Sequence, residues 1–171
     1  NASSFTIART LASHSSCVAL PFPILSEIYE DPQSASSVSV LYIAPLKSLI
    51  NDQFGRLEEL LDMTGVTVTH WHGDVGAGHK SALLKNPSGI LIITPESLES
   101  FLINRNSSVK KALGNLRYVV IDELHAFIGN ERGKQLQSLL SRIELITGNK
   151  APRIAMSATF SNYDKVKTFL R

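Results

Sequence analysis

A single cysteine, Cys17, among 171 residues excludes an internal disulfide and any metal cage built from cysteine. No apolar run approaches the ~18 residues that cross a bilayer as a helix. No basic stretch precedes an apolar core at the N-terminus, so no secretion signal is expected. Together with the lone thiol, this fits a cytoplasmic location. The net charge of +2 is too small for a general field that attracts polyanions, so any nucleic-acid surface must be a local patch. One more absence is local: neither glycine nor lysine occurs before Lys47. That stretch cannot form a glycine-rich phosphate loop, which needs bare backbone to wrap the phosphates and a lysine to neutralise them.

What is present has the pattern of a globular domain. A hydrophobic content of 43% with 19% charged residues argues against disorder, and the length suits one domain. Short apolar runs alternate with stretches of helical period. Strands are expected at Val38 to Ile43, Val66 to His70, Ile90 to Ile93, Arg117 to Ile121 and Arg153 to Met156. Leu46, Leu49, Ile50, Phe54, Leu57 and Leu61 recur at helical spacing. Leu98, Phe101 and Leu102 mark a second helical face, Leu136, Leu139, Leu140 and Ile143 a third, and Val166, Phe169 and Leu170 a closing one. Asp31 to Ser37 reads as a surface loop. The first twenty residues show no clean period, and a helix is expected to begin near Pro23, since Pro21 and Pro23 cannot sit deep inside one. Strand–helix alternation with nearly continuous apolar strands implies an α/β fold, a mostly parallel central sheet with helices on both faces. Such sheets hold ligands at the carboxyl ends of their strands. The polar segments Ala44 to Lys47, Thr94 to Ser97, Asp122-Glu123 and Ser157 to Thr159 all fall there.

Asp122-Glu123-Leu124-His125 follows the apolar run Tyr118 to Ile121. Two adjacent carboxylates at the end of a buried strand are costly unless a cation joins them. One reading is a helix N-cap followed by a first-turn acid. The other gives Asp122 to Mg²⁺ through its water shell and Glu123 to the attacking water. His125 is then either a satisfied core histidine or a link from that site to a neighbouring loop. Ser157-Ala158-Thr159, one strand later, offers two hydroxyls that can bond to such a histidine. In Thr94-Pro95-Glu96, Thr94 can cap a helix with Pro95 at its first position, leaving free N–H groups for a phosphate. Glu96 opposes direct phosphate contact and is expected to orient a neighbouring group instead. Pro45-Leu46-Lys47 makes a similar turn with a cation, and His72-Gly73-Asp74 is at minimum a turn with a permissive glycine.

Read in order, APLKSL, HWHGD, TPESL, IDELH and MSATF resemble the first RecA-like motor domain of superfamily 2 helicases, in the large-helicase-related (Lhr-like) and neighbouring DEAD/DEAH-box groups. Glu131-Arg132-Gly133, with Leu136 to Leu140, resembles the segment after the acidic motif in Lhr-like members. The likeness runs from about Pro23 to the C-terminus. It implies a RecA-like three-layer sandwich that couples ATP hydrolysis to movement along nucleic acid, with DNA the expected strand. By position, Asp122 and Glu123 take the Mg²⁺ and water roles, and His125, Ser157, Ala158 and Thr159 couple hydrolysis to movement. Pro45, Leu46, Lys47, Gly73, Asp74, Thr94, Pro95 and Glu96 belong to the strand-contacting loops. ATP and Mg²⁺ are the implied cofactors, single-stranded DNA or RNA the partner, and a second RecA-like domain completes the cleft.

The chain departs from that pattern at its start. The family's Gly-Lys-Thr slot falls on Ser15-Ser16-Cys17, and no adenine-contacting glutamine motif stands upstream. Residues 23–171 therefore read as the RecA-like domain, and residues 1–22 as an atypical segment in place of the phosphate-binding loop. Either the motor has lost the loop, or the segment is not the natural sequence of this region. In both cases ATP binding by the isolated chain is expected to be weak or absent, and the chain alone inactive. The alternative function is a degenerate, non-hydrolysing RecA-like module that binds nucleic acid or a partner protein. A small P-loop kinase would share the sheet but leaves APLKSL and TPESL unexplained.

Overall fold

The computed structural model describes residues 5–9, 22–30, 36–157 and 163–170. The strands are β1 (Phe5–Arg9), β2 (Val40–Ile43), β3 (Val68–Trp71), β4 (Ile90–Ile93), β5 (Tyr118–Ile121) and β6 (Arg153–Ser157). The helices are α1 (Phe22–Glu30), α2 (Lys47–Leu61), α3 (Ala77–Lys85), α4 (Pro95–Asn104), α5 (Asn106–Leu113), α6 (Glu131–Thr147) and α7 (Tyr163–Leu170). The strands form one sheet in the order β1-β6-β5-β2-β4-β3, and every pairing is parallel. This is the expected α/β architecture.

Alternation along each strand explains why its apolar run is unbroken. Leu41, Ile43, Leu91, Ile93, Val119 and Ile121 pack with α4 to α7 through Leu98, Phe101, Val109, Leu136 and Phe169. The intervening Val40, Tyr42, Ile90, Ile92, Val120 and Ile154 pack on the other face against Ile24, Leu25 and Ile28 of α1 and Ile50 and Leu57 of α2. Both faces are core, so neither phase of the strand has to be polar.

The five expected strands are all present, with β2 and β3 each starting two residues late. Val38 and Ser39 send their N–H groups to Ala112 O (2.8 Å) and Gly89 O (2.8 Å) instead of into the β2 ladder. Val66 bonds Thr64 Oγ1 (3.3 Å). Of the first twenty residues, which show no period in the sequence, the structure describes 5–9. Phe5–Arg9 is a strand, paired in register from Phe5↔Arg153 to Arg9↔Ser157. The expected loop ending at Ser37 is corrected at its end, because Ser37 is buried and its hydroxyl bonds Ala112 O (3.0 Å) and Asn115 N (3.1 Å). Leu46, counted on the inner face of α2, is exposed. Helices α3 and α5 have no counterpart in the sequence pattern. In α3, Leu83 is in the apolar core with Leu84 packed against it, and α5 is eight residues long.

Candidate active site and adjoining groove

At the end of β5 the strand pairing continues one step, Asp122 N donating to Ile43 O at 2.9 Å. Asp122 is buried. Its Oδ2 accepts from the Tyr42 hydroxyl at 2.7 Å and its Oδ1 from Glu123 N at 2.8 Å. Tyr42 lies on β2 opposite Val120, so Tyr42 and Asp122 share a face of the sheet. Burial pushes the Asp122 carboxyl above its ordinary value, while the bonds from Tyr42 and Glu123 N and the charge of His125 pull it back. Burial, with Asp122 next, pushes the Tyr42 phenol well up.

Glu123 stands at φ 46°, the left-handed region, and turns the chain into a 3₁₀ turn over Leu124–Ala126. Burial and then the Asp122 charge push its carboxyl up. His125 Nδ1 lies 2.9 Å from Ser157 Oγ at the end of β6 and 3.1 Å from Glu123 Oε2. With that nitrogen turned to Ser157, Glu123 Oε2 is buried without hydrogen-bond geometry. Asp122, Glu123, His125 and Ser157 therefore form one cluster. Ala158 and Thr159 lie outside the described residues, as do Ser15, Ser16, Cys17 and Pro21.

Beside this cluster a groove of about 600 Å³ opens over the ends of β2, β3 and β4. It brings together Pro45, Leu46, Lys47, Gly73, Thr94 and Glu96. Thr94 caps α4 as expected, accepting from Ser97 N at 3.2 Å with Pro95 at the first turn. Pro95 itself is buried beneath that turn. Lys47 and Asp74 are paired, Lys47 Nζ standing 3.1 Å from Asp74 Oδ2, and this bond pulls the exposed Asp74 carboxyl down. Behind the pair, His72 is buried with Nε2 3.1 Å from Asn51 Oδ1.

Glu96 Oε1 accepts from Arg132 Nε at 2.9 Å. Arg132, near the start of α6, stands out in the sequence only through a family likeness and not as a site residue, yet it lines the groove. Its partners lie 36 and 87 residues away, so no local pattern betrays it. Lys80 of α3 also lines the groove, with Nζ 5.7 Å from the centre of the Trp71 ring.

The family model for DEAD/DEAH box helicases matches residues 17–166. The chain belongs to that family. Among curated relatives, this helicase domain is 34% identical over 157 residues to the ATP-dependent helicase Lhr-Core of Methanothermobacter thermautotrophicus, covering 85% of the chain and 18% of the relative. It is 35% identical over 143 residues to the Lhr helicase/uracil glycosylase of Escherichia coli, covering 77% of the chain and 9% of that protein. Among solved structures, Mycobacterium smegmatis helicase Lhr bound to ssDNA and AMP-PNP superposes with a TM-score of 0.80 at 30% identity, over 98% of this chain and 22% of that one. The helicase domain thus spans less than a quarter of each of these proteins. Its fold is RecA-like and its group Lhr-like, as the motif order implied. Among the described residues, no helix is long and apolar enough to cross a membrane.

Proposed function

We propose that this chain is the first motor domain of an ATP-dependent helicase that couples ATP hydrolysis to translocation along nucleic acid, with DNA as the strand. The observation that carries the reading is the contact of His125 with both Glu123 and Ser157, which ties the carboxylate pair at the end of β5 to the end of β6. A non-hydrolysing module has no chemical need for that arrangement, and the likeness to Lhr-Core favours the motor.

The carboxylate pair fits a divalent cation. Burial disfavours the charged form of both Asp122 and Glu123, and a nearby cation relieves that cost. Asp122 would hold Mg²⁺ through water, and the ion, when bound, would supply charge neutralisation for the phosphates of ATP. Tyr42 and Glu123 N orient the Asp122 carboxylate. Glu123 takes the proton of the attacking water, and His125 passes the state of the site to Ser157, Ala158 and Thr159. Pro45, Leu46, Lys47, Gly73, Asp74, Thr94, Pro95 and Glu96 form the loops that meet single-stranded DNA or RNA. Lys47 exchanges Asp74 for a phosphate when a strand arrives. Turnover requires a second RecA-like domain facing the same edge, and the working location is the cytoplasm.

With Ser15-Ser16-Cys17 in the Gly-Lys-Thr slot, residues 1–22 do not supply a phosphate cradle, and residues 23–171 carry the remaining half of the site. Calorimetric titration of the chain with Mg²⁺–ATP is expected to show weak binding or none. Micromolar affinity would overturn this view of the N-terminal segment. A labelled single-stranded oligonucleotide is expected to bind in a salt-sensitive way, and the Lys47→Ala, Thr94→Ala double variant to bind less well. Unchanged affinity in that variant removes the groove from the nucleic-acid surface.

A further inference from the structure

An acid on a surface that meets a polyanion is electrostatically adverse, and Glu96 lines the groove with half of its side chain exposed. Among the described residues its carboxylate is engaged by one group, the Arg132 guanidinium, with Nε at 2.9 Å and Nη2 at 2.7 Å from Oε1. Arg132 Nη2 also donates to Pro45 O at 2.8 Å. One planar fork therefore ties a backbone carbonyl of the loop after β2 to a side chain of the helix start after β4. Lysine carries the same charge but cannot present donors in that fixed plane.

The base of the fork is equally constrained. Asn130 caps α6, its Oδ1 accepting from Gly133 N at 3.0 Å and its Nδ2 donating to Ala126 O at 2.8 Å. A Cβ on Gly133 would lie 1.9 Å from Phe127 O, so only glycine lets the helix seat this close. The guanidinium sits 5.6 Å from the centre of the Phe127 ring. Phe127 closes the 3₁₀ turn that starts at Glu123. Arg132 thus stands on the segment leaving the carboxylate pair and reaches the loops after β2 and β4.

The pair cannot be explained as a stability device. The side chains of Arg132 and Glu96 are 38% and 54% exposed, and ion pairs in such surroundings add little to folding. Position is what the fork fixes.

We infer that Arg132 is a positioning residue that braces the Pro45–Lys47 loop against the Thr94–Glu96 turn, and that Glu96 promotes nucleic-acid binding by holding Arg132 rather than by touching the strand. The inference rests on the groove being the nucleic-acid surface. It makes an outcome that charge alone forbids: removing a negative charge from this surface weakens binding to a polyanion.

The test is fluorescence anisotropy of a labelled oligodeoxythymidylate against the chain and its variants over a range of salt. Glu96→Gln is expected to lower affinity by about three- to tenfold, the effect of one lost positioning bond. Arg132→Lys is expected to lower it equally while keeping the slope of log affinity against log salt, since no phosphate-neutralising charge is lost. Melting curves should stay close to the parent for Glu96→Gln, whose side chain is exposed, so misfolding does not mimic the result. Equal or tighter binding by Glu96→Gln, or parental binding by Arg132→Lys, overturns the brace. If Lys47→Ala, Thr94→Ala also binds like the parent, the groove reading itself has failed. A loss there beside parental binding in Glu96→Gln removes only the brace.

Discussion

At the end of β5, Asp122 is buried and both its oxygens are taken by donors fixed in the core, the Tyr42 hydroxyl and Glu123 N. In the groove alongside, Lys47, Asp74, Glu96 and Arg132 pair with one another in the open. Hydrogen bonds to a buried charge are short of alternatives, because water cannot replace the lost partner. Exposed ion pairs exchange partners at little cost. The difference separates a region whose geometry is set before any ligand arrives from one in which Lys47 can trade Asp74 for a phosphate while Arg132, bonded to both Glu96 and Pro45 O, stays in place.

Breaking the rigid region should have the largest effects. In a longer protein with a working phosphate loop and second domain, Glu123→Gln should lower ATP turnover by about 10²–10⁴-fold, as for loss of a general base, with nucleotide binding retained. Steady-state ATPase assays beside equilibrium binding check this, and turnover near the parental rate removes Glu123 from the water role. Tyr42→Phe deletes one donor from a buried carboxylate and should cost about 1.5–3 kcal/mol of stability, read from denaturant unfolding.

The open region should respond more weakly, and with a change of sign. Asp74→Asn leaves Lys47 without its internal partner and should tighten single-strand binding a few-fold with no loss of stability. The same kind of replacement at Glu96 should weaken binding. Tighter binding at both acids would show that charge alone governs the groove. The smallest expected effect lies next to it on β3, where His70 packs edge-on to Phe54 at 4.1 Å and stacks on His72 at 5.4 Å. Burial and then the charges of His72 and His79 lower its pKa, against a smaller opposing pull from Glu58. Below about 6.5 the unfolded chain takes up a proton there before the folded one does. Stability from this group is complete above that pH and falls as the pH drops toward the lowered value. Melting curves at neutral and mildly acid pH should show that loss, and His70→Gln should reduce it.

The parts of this edge that were legible in the sequence are those whose cause is local. Ile90–Ile93 is a strand with the expected limits because four branched residues, buried on both sides, permit little else. Thr94 caps α4 because its partner is three residues away. The Asp122, His125 and Ser157 cluster is legible through motif order, which carries long-range information that spacing does not. β1 is hidden because its ladder partner is β6, at the far end of the chain, and five residues in a serine-rich stretch show no period. Leu46 is misplaced because helical spacing continues one residue beyond the helix, into the turn that faces the groove. The partners of Lys47 and Arg132 are unreadable for the same reason as β1: each is supplied by another loop of the edge.

The backbone of Glu123 leaves a different kind of record. A side chain with a Cβ at φ 46° sits about 1–2 kcal/mol above the same residue in a right-handed conformation, whereas glycine sits there freely. Glu123→Gly should therefore relax the turn while removing the carboxylate. Laboratory selection for thermal tolerance alone would drift toward glycine here, and selection for turnover would hold glutamate against that drift. The preference of this position under the two regimes is a direct reading of which of them has shaped the chain.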